Sequence, residues 1–407
     1  MRSRVTITAV TLATTGALVL AGCSSSGGAK KKTGGLGGGG SSSAGNTAGK
    51  TYKIGFIGAL SGPNAQLGIN ERQGAQLAVD QANASGKNKF KVTLVSQDSE
   101  GDPAKAPAAA TALNSNPEIL GVIGPAFSGE SEAVNPSFCA ASPAMPIVTA
   151  SASRGTLQTH NWKCWHRIIP NDNVEGAQGA DWLARTKAKK VYVLSDLSAY
   201  GAGVAGTVVA ELKKKGVAVV TSGVDGTTTK NYNPIAQTIK SSGADAIFYG
   251  GYDAQAALLA KALKSAGFTG RTVTGNGGKS DIFTKNASSA GEGWYFTCGC
   301  QDATVAPSAK AFTSAYTAKW KTPPSTYSPE AFDVANLFID SIKRASSSGA
   351  VTRTSLLTAL NAANFQGITT TIKFQPNGEV AAQNLVVNLF REKAGKIVGL
   401  GDINKAK

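Results

Sequence analysis

The chain reads as an α/β protein made of two doubly wound, Rossmann-like lobes, each a parallel sheet flanked by helices. Three observations predict this. Short Val- and Ile-rich runs alternate with stretches of helical spacing. After a leader and tether, a body of about 355 residues remains, too long for one ordinary core. A composition shift near Pro170-Asn171-Asp172-Asn173 marks a change of lobe.

Taken in order, the predicted strands are Tyr52 to Gly58, Lys91 to Gln97, Ile119 to Ile123, Pro146 to Ala150, Lys190 to Ser195, Val217 to Ser222, Ala244 to Gly250 and Thr272 to Gly275. Each is a short apolar run bounded by turn formers, as expected for buried parallel strands. Between them, Ala75, Ala78, Val79 and Ala82, or Leu258, Leu259, Ala262 and Leu263, repeat at the spacing of one helix face. Arg167-Ile168-Ile169 is extended and stops at Pro170, after which the polar cap Asn171 opens a helix. Beyond Cys300, two longer helices are expected, Ser308 to Trp320 and Pro329 to Arg344, separated by Pro323-Pro324 and returning to the first lobe. No internal repeat is visible beyond the recurring βαβ unit.

The amino terminus carries its own message. Arg2 and Arg4 precede an apolar run from Val5 to Leu20, and Leu20-Ala21-Gly22-Cys23 ends it. That run is short for a bilayer-spanning helix, which wants roughly 20 residues, and fits a cleaved export signal over 1–22. These four residues resemble the lipobox of bacterial lipoproteins, which implies acylation of Cys23 and a surface-tethered protein. Residues 23–51 are mostly Gly, Ser, Ala, Thr and Lys and cannot bury a core. As a flexible tether, the stretch of about 27 residues from Ser24 to Lys50 has a reach of roughly 26 to 31 Å.

Composition excludes several classes. Net charge is +16, and loss of Arg2 and Arg4 leaves +14, with Lys30, Lys31, Lys32 and Lys50 still in the tether. The remaining lysines scatter along helix faces, as at Lys213-Lys214-Lys215, with no interleaved aromatics, so nucleic acid is not an expected partner. Beside Cys23, the cysteines are Cys139, Cys164, Cys298 and Cys300. Outside the cytoplasm an even set reads as disulfides, and sequence locality favours Cys139 with Cys164 and Cys298 with Cys300. A metal site is the weaker reading, since the second pair is C-x-C and His160 and His166 are the only histidines.

Catalytic constellations are missing. There is no G-x-S-x-G and no H-E-x-x-H. Gly278-Lys279-Ser280 looks like the end of a phosphate loop, but Val273 stands where its first glycine is needed. Asp98, Glu100 and Asp102 read as a solvated acidic loop. No enzyme activity and no cofactor are expected.

Binding chemistry is easier to place, because ligands of open α/β sheets sit beyond the carboxyl ends of the strands. Ser128 follows the strand Gly121-Val122-Ile123 at a predicted helix start, where free N–H groups and the positive dipole end suit a carboxylate. The alternative is a simple N-cap. Thr149-Ala150-Ser151-Ala152-Ser153 offers a second hydroxyl-rich loop, while Tyr200-Gly201 and Gly250-Gly251-Tyr252-Asp253 follow strands of the other lobe.

In order and spacing, Ile57-Gly58-Ala59-Leu60-Ser61-Gly62-Pro63 with Gln66 and Gly68, then Val122-Ile123-Gly124, Tyr200-Gly201 and Tyr249-Gly250-Gly251-Tyr252, resemble the solute-binding proteins of ABC importers. The branch is that of the leucine/isoleucine/valine-binding proteins, and the likeness runs from about Lys53 to Leu400. It implies a type I periplasmic binding fold with a three-crossover hinge near Pro170, Cys300 and Asn377. The lobes would then be 52–170 plus 302–377, and 171–301 plus 378–407. By the same resemblance, Ser128 and Ser153 hold a ligand carboxylate and the carbonyl of Ala152 accepts from its ammonium. Tyr200 and Tyr252 close from the second lobe, and Leu67 and Phe127 line the pocket.

Two positions depart from that pattern. The acid expected for the ligand ammonium falls on the neutral Asn276, or with a one-residue slip on Gly277. Either Asp253 or Asp196 supplies the charge, or the ligand lacks a free ammonium, because an unpaired buried cation is costly. Leu67 replaces a large aromatic. The expectation is therefore a monomeric, extracytoplasmic, lipid-anchored protein that binds a branched-chain or related amino acid and delivers it to permease subunits. A binder of amides or small carboxylates, or a ligand sensor that signals to a separate partner, is the alternative.

Overall fold

The computed structural model describes residues 49–406. The leader, the Cys23 acylation site and nearly all of the tether lie outside the described residues.

The first sheet comprises β1 (Thr51–Gly58), β2 (Lys91–Asp98), β3 (Ile119–Ile123), β4 (Ile147–Thr149) and β5 (Trp165–Arg167), all parallel, in the order β2-β1-β3-β4-β5. The second begins with β6 (Lys190–Ser195), β7 (Ala218–Gly223), β8 (Ala246–Gly250), β9 (Arg271–Thr274) and β10 (Tyr295–Cys298) in the parallel order β7-β6-β8-β9-β10. A two-residue ladder pairs β11 (Phe365–Gln366) with β12 (Thr371–Ile372). The antiparallel hairpin β13 (Asn388–Lys393) and β14 (Lys396–Asp402) then extends the second sheet beside β10.

All eight predicted strands form to within two residues at each end. Their central members are wholly buried, β3 and β8 at every position, because helices cover both faces of each sheet. Among the strands not anticipated, β10, β13 and β14 lie at or toward an edge of the second sheet. β13 alternates buried and exposed residues and β14 is largely exposed, so neither presents an unbroken apolar run.

Helices α1 (Ala65–Ala84), α2 (Ala106–Asn114) and α3 (Ser128–Ala140) follow strands of the first sheet. α4 (Asp172–Arg185), α5 (Ala199–Lys214), α6 (Asn233–Ser241), α7 (Asp253–Ser265) and α8 (Asp281–Ala287) accompany the second. The predicted Asn171 cap opens α4, its side chain accepting from the amides of Asn173 and Val174 at 3.1 and 3.2 Å. The chain then returns with α9 (Lys310–Trp320), α10 (Ser328–Ser348) and α11 (Arg353–Asn361). α9 and α10 pack on α1, and α10 and α11 on β3. Close approach is built into α1, where any side chain at Gly74 would collide with the carbonyl of Ser328 at the start of α10.

The chain passes between the sheets after β5, after β10 and before β13. Glu379 still bridges Arg167, so the third passage begins a few residues beyond Asn377. There the guanidinium of Arg167, fully buried, forms a two-point ion pair with the Glu379 carboxylate. Cys139 is joined to Cys164, with Cα atoms 5.4 Å apart, and Cys298 to Cys300, with Cα atoms 5.1 Å apart. Among the described residues, no helix is long and apolar enough to cross a membrane, and no cluster of His, Cys, Asp and Glu could hold a metal ion.

Candidate functional site

The carboxyl ends of the two sheets face one another across a narrow cavity. Leu67, Phe127, Ser128, Ser153, Tyr200, Tyr252 and Asn276 line it together. Residues spread over more than 200 positions of sequence thus meet because each follows the carboxyl end of a strand, at or beside the point where strand order reverses in its sheet.

On the first lobe, Ser128 is the first residue of α3, yet its hydroxyl does not cap that helix. Glu130 does so, accepting from the Phe127 amide at 3.1 Å. The Ser128 oxygen instead accepts the amide of Arg154 at 3.1 Å, tying the two hydroxyl loops together and leaving its own proton to donate. Ser151 donates to the Ala126 carbonyl at 2.6 Å. Ala152 does not line the cavity. Its carbonyl accepts from Arg167 at 2.9 Å, as does that of Arg154, so the buried ion pair beneath sets the shape of this loop.

On the second lobe, the Tyr200 hydroxyl accepts the Gly277 amide at 3.1 Å, and a Cβ at position 277 would strike the Tyr200 ring at 2.5 Å. Glycine there lets the tyrosine reach the cavity. Tyr252 packs edge-on against Phe127 with ring centroids 5.0 Å apart and lies 5.3 Å from Tyr200. Phe127 with Tyr252, and the Arg154 guanidinium with the Ala199 carbonyl at 3.0 Å, are contacts between lobes, so the cleft is closed.

Three of the second lobe's buried acids, Glu175, Asp253 and Asp196, are occupied. Asn276 gives its backbone and side-chain N–H groups to Glu175 at 2.9 and 2.6 Å, and the same carboxylate accepts from Thr297 at 2.8 Å. Asn276 also approaches the Ser153 hydroxyl at 3.4 Å, bridging the lobes. Asp253 does not line the cavity: its carboxylate accepts from the Ser280 hydroxyl and the Ala254 amide. Asp196 is likewise turned away, accepting from the Ser198 amide at 2.9 Å and hydroxyl at 2.6 Å. Burial nevertheless raises both aspartates, each to about 6.

Sequence reasoning missed one cavity residue with charge. Glu71 is 1% exposed, lines the cavity, and neither of its carboxylate oxygens has a hydrogen-bond partner. Burial pushes its carboxyl up to about 8, with Ser151 pulling down and Glu130 and Glu330 adding to the rise. It stands four residues after Leu67 on α1, hence on the same helix face, and that spacing is the signal that could have found it. Ala126, Ser151, Gly277 and Tyr327 complete the wall.

Several motifs resolve into structure. Lys279 is buried, donating to Thr326 at 3.1 Å above the Phe390 ring, and Ser280 caps α8, so the phosphate-loop look-alike is packing. Asp98 accepts from Leu60 and Ser61 and holds the turn after β1. His160 stacks on Trp162, and His166 lies within β5, 2.8 Å from Asn361.

The chain belongs to the periplasmic binding protein family, whose model matches residues 51–393. It is 28% identical over 338 residues to the leucine-, isoleucine-, valine-, threonine-, and alanine-binding protein of Pseudomonas aeruginosa, covering 82% of this chain and 88% of that one. It is 29% identical over 352 residues to Leu/Ile/Val-binding protein homolog 3 of Brucella melitensis biotype 1, covering 85% and 93%. Among solved structures, it resembles the branched-chain amino acid transporter substrate binding protein LivJ of Streptococcus pneumoniae in complex with isoleucine. The TM-score is 0.77 at 25% identity, over 86% of this chain and all of that one.

Proposed function

From that family membership, we propose that the protein is an extracytoplasmic solute-binding protein, anchored by lipid on Cys23, that captures a branched-chain or related amino acid and delivers it to a separate membrane permease. One observation carries this reading: a closed cavity between the carboxyl ends of two sheets, with unspent hydroxyls on one side and tyrosines on the other. Ser128 and Ser153 receive the ligand carboxylate, Tyr200 and Tyr252 cover it, and Leu67, Phe127 and Tyr327 surround its side chain. A ligand touching both lobes favours the closed state over the open one, and the three passages between sheets serve as the hinge.

A thermal-shift screen of free amino acids, their amides and deaminated acids tests it. A ligand at a hundred times its dissociation constant adds about 2.7 kcal/mol. Leucine, isoleucine or valine should raise the melting temperature, and Ser128→Ala should weaken binding by about 1 to 3 kcal/mol. A response confined to amides or deaminated acids would move the substrate class; unchanged affinity in Ser128→Ala would remove that serine from the site.

A further inference from the structure

Resting on the solute-binding reading, we infer that Glu71 is the residue that receives a cationic nitrogen of the ligand. The position that lacks an acid, Asn276, spends its N–H groups on Glu175 and offers a ligand no negative charge. Asp253 and Asp196 are held by Ser280 and Ser198 outside the cavity. Asp172, at the start of α4, is the other buried acid near the site whose two oxygens lack partners. It does not line the cavity, and Arg167 and Arg154 lie close enough to offset its charge. Glu71 alone among these acids is in the cavity wall, and both of its oxygens are unmatched there.

Its surroundings favour that role. From α3 it faces Glu130, from α10 Glu330, from the residue before α10 Tyr327, from the loop after β4 Ser151, and across the cavity Tyr200 and Tyr252. Among the described residues, the charges that act on it are both acidic, Glu130 and Glu330. An unpaired carboxylate there is costly, so the empty site keeps Glu71 protonated below about pH 8. A ligand ammonium removes that penalty by supplying the missing charge. Glu71 then gives its proton to solvent, and a carboxylate–ammonium pair replaces a neutral acid. Ligand capture at neutral pH is therefore coupled to release of one proton, and affinity for a nitrogen-bearing ligand rises with pH up to about 8 before levelling.

Isothermal titration in two buffers of different ionisation heat counts that proton. Three probes separate the sources of the nitrogen: leucine carries it on the α-carbon, 6-aminohexanoate at the far end, and 4-methyl-2-oxopentanoate not at all. At pH 6.5, whichever nitrogen-bearing probe binds should release close to one proton, and the oxo acid none. Glu71→Gln, nearly the same size, should weaken the nitrogen-bearing probe by at least about thirtyfold, abolish the release and leave the oxo acid within about threefold. Asp172→Asn should leave the proton count unchanged. Binding of leucine or 6-aminohexanoate without proton release in the unaltered protein would overturn the inference, whether or not the variant folds. So would tight binding of the oxo acid alone. If Ser128→Ala weakens every probe while Glu71→Gln changes none, the solute-binding reading stands and the role of Glu71 falls; silence from all three probes overturns both.

Discussion

The two lobes share a strand order, β2-β1-β3-β4-β5 in one and β7-β6-β8-β9-β10 in the other, yet their ligand-facing loops are equipped differently. On the second lobe, Glu175 accepts from Asn276 and Thr297, Asp196 from Ser198 and Asp253 from Ser280, while Asp172, without such donors, lies outside the cavity wall. The bonded carboxylates shape loops. On the first lobe, Glu71 is equally buried, and among the described residues only the Ser151 hydroxyl, already donated to Ala126, approaches its carboxylate. Charge count alone would assign the ligand's counter-charge to the acid-rich second lobe; hydrogen-bond occupancy together with a place in the cavity wall assigns it to the first. A buried acid already saturated with donors is part of the scaffold, and one left unsatisfied in a cavity wall is available to a ligand.

The comparison can be broken at its firmest point by Arg167→Met. This strands Glu379 and frees the carbonyls of Ala152 and Arg154, and should cost about 3 to 5 kcal/mol in urea unfolding. Glu175→Ala takes the acceptor from Asn276 and Thr297 and should cost about 1 to 3 kcal/mol, while preserving the preference for leucine over its oxo acid. Lost preference would return the counter-charge to the second lobe.

Stability against pH sharpens the contrast further. Glu71 sits near 8 in the fold, well above an ordinary glutamate, so between about pH 5 and 8 the native state holds a proton that the unfolded chain has released. Stability of the empty protein therefore falls as pH rises through that window, and Glu130 and Asp172, each raised to about 7, act in the same direction. Glu71→Gln should flatten the slope by up to about 1.4 kcal/mol per pH unit. Smallest of all, Asp253→Asn should change leucine and oxo-acid binding alike, by less than about 1 kcal/mol, because it touches Ser280 rather than the ligand.

Much of this was legible in the residues. Buried parallel strands announce themselves as short apolar runs, and all eight such runs are strands. The edge hairpin of β13 and β14 was not legible, since half-exposed strands dilute that signal. At the site, Ser128, Ser153, Tyr200 and Tyr252 could be singled out because each follows a strand in a small, polar loop, whereas Asn276 is reached only through the family resemblance. Glu71 lies inside a helix beside Asn70, Arg72 and Gln73, where an acid looks like part of a solvated face until packing of α10 on α1 buries it. Arg167 and Glu379, 212 residues apart, pair only through the crossover between lobes.

The most direct test is a carbon-13 NMR titration of the Glu71 side-chain carboxyl, assigned by its loss in Glu71→Gln, with and without saturating leucine. The empty protein should show it titrating near 8. With leucine it should stay ionised down to an ordinary glutamate value of about 4.3 or below. A Glu71 signal with the same titration in both states would contradict the assignment of the ligand's counter-charge to the first lobe.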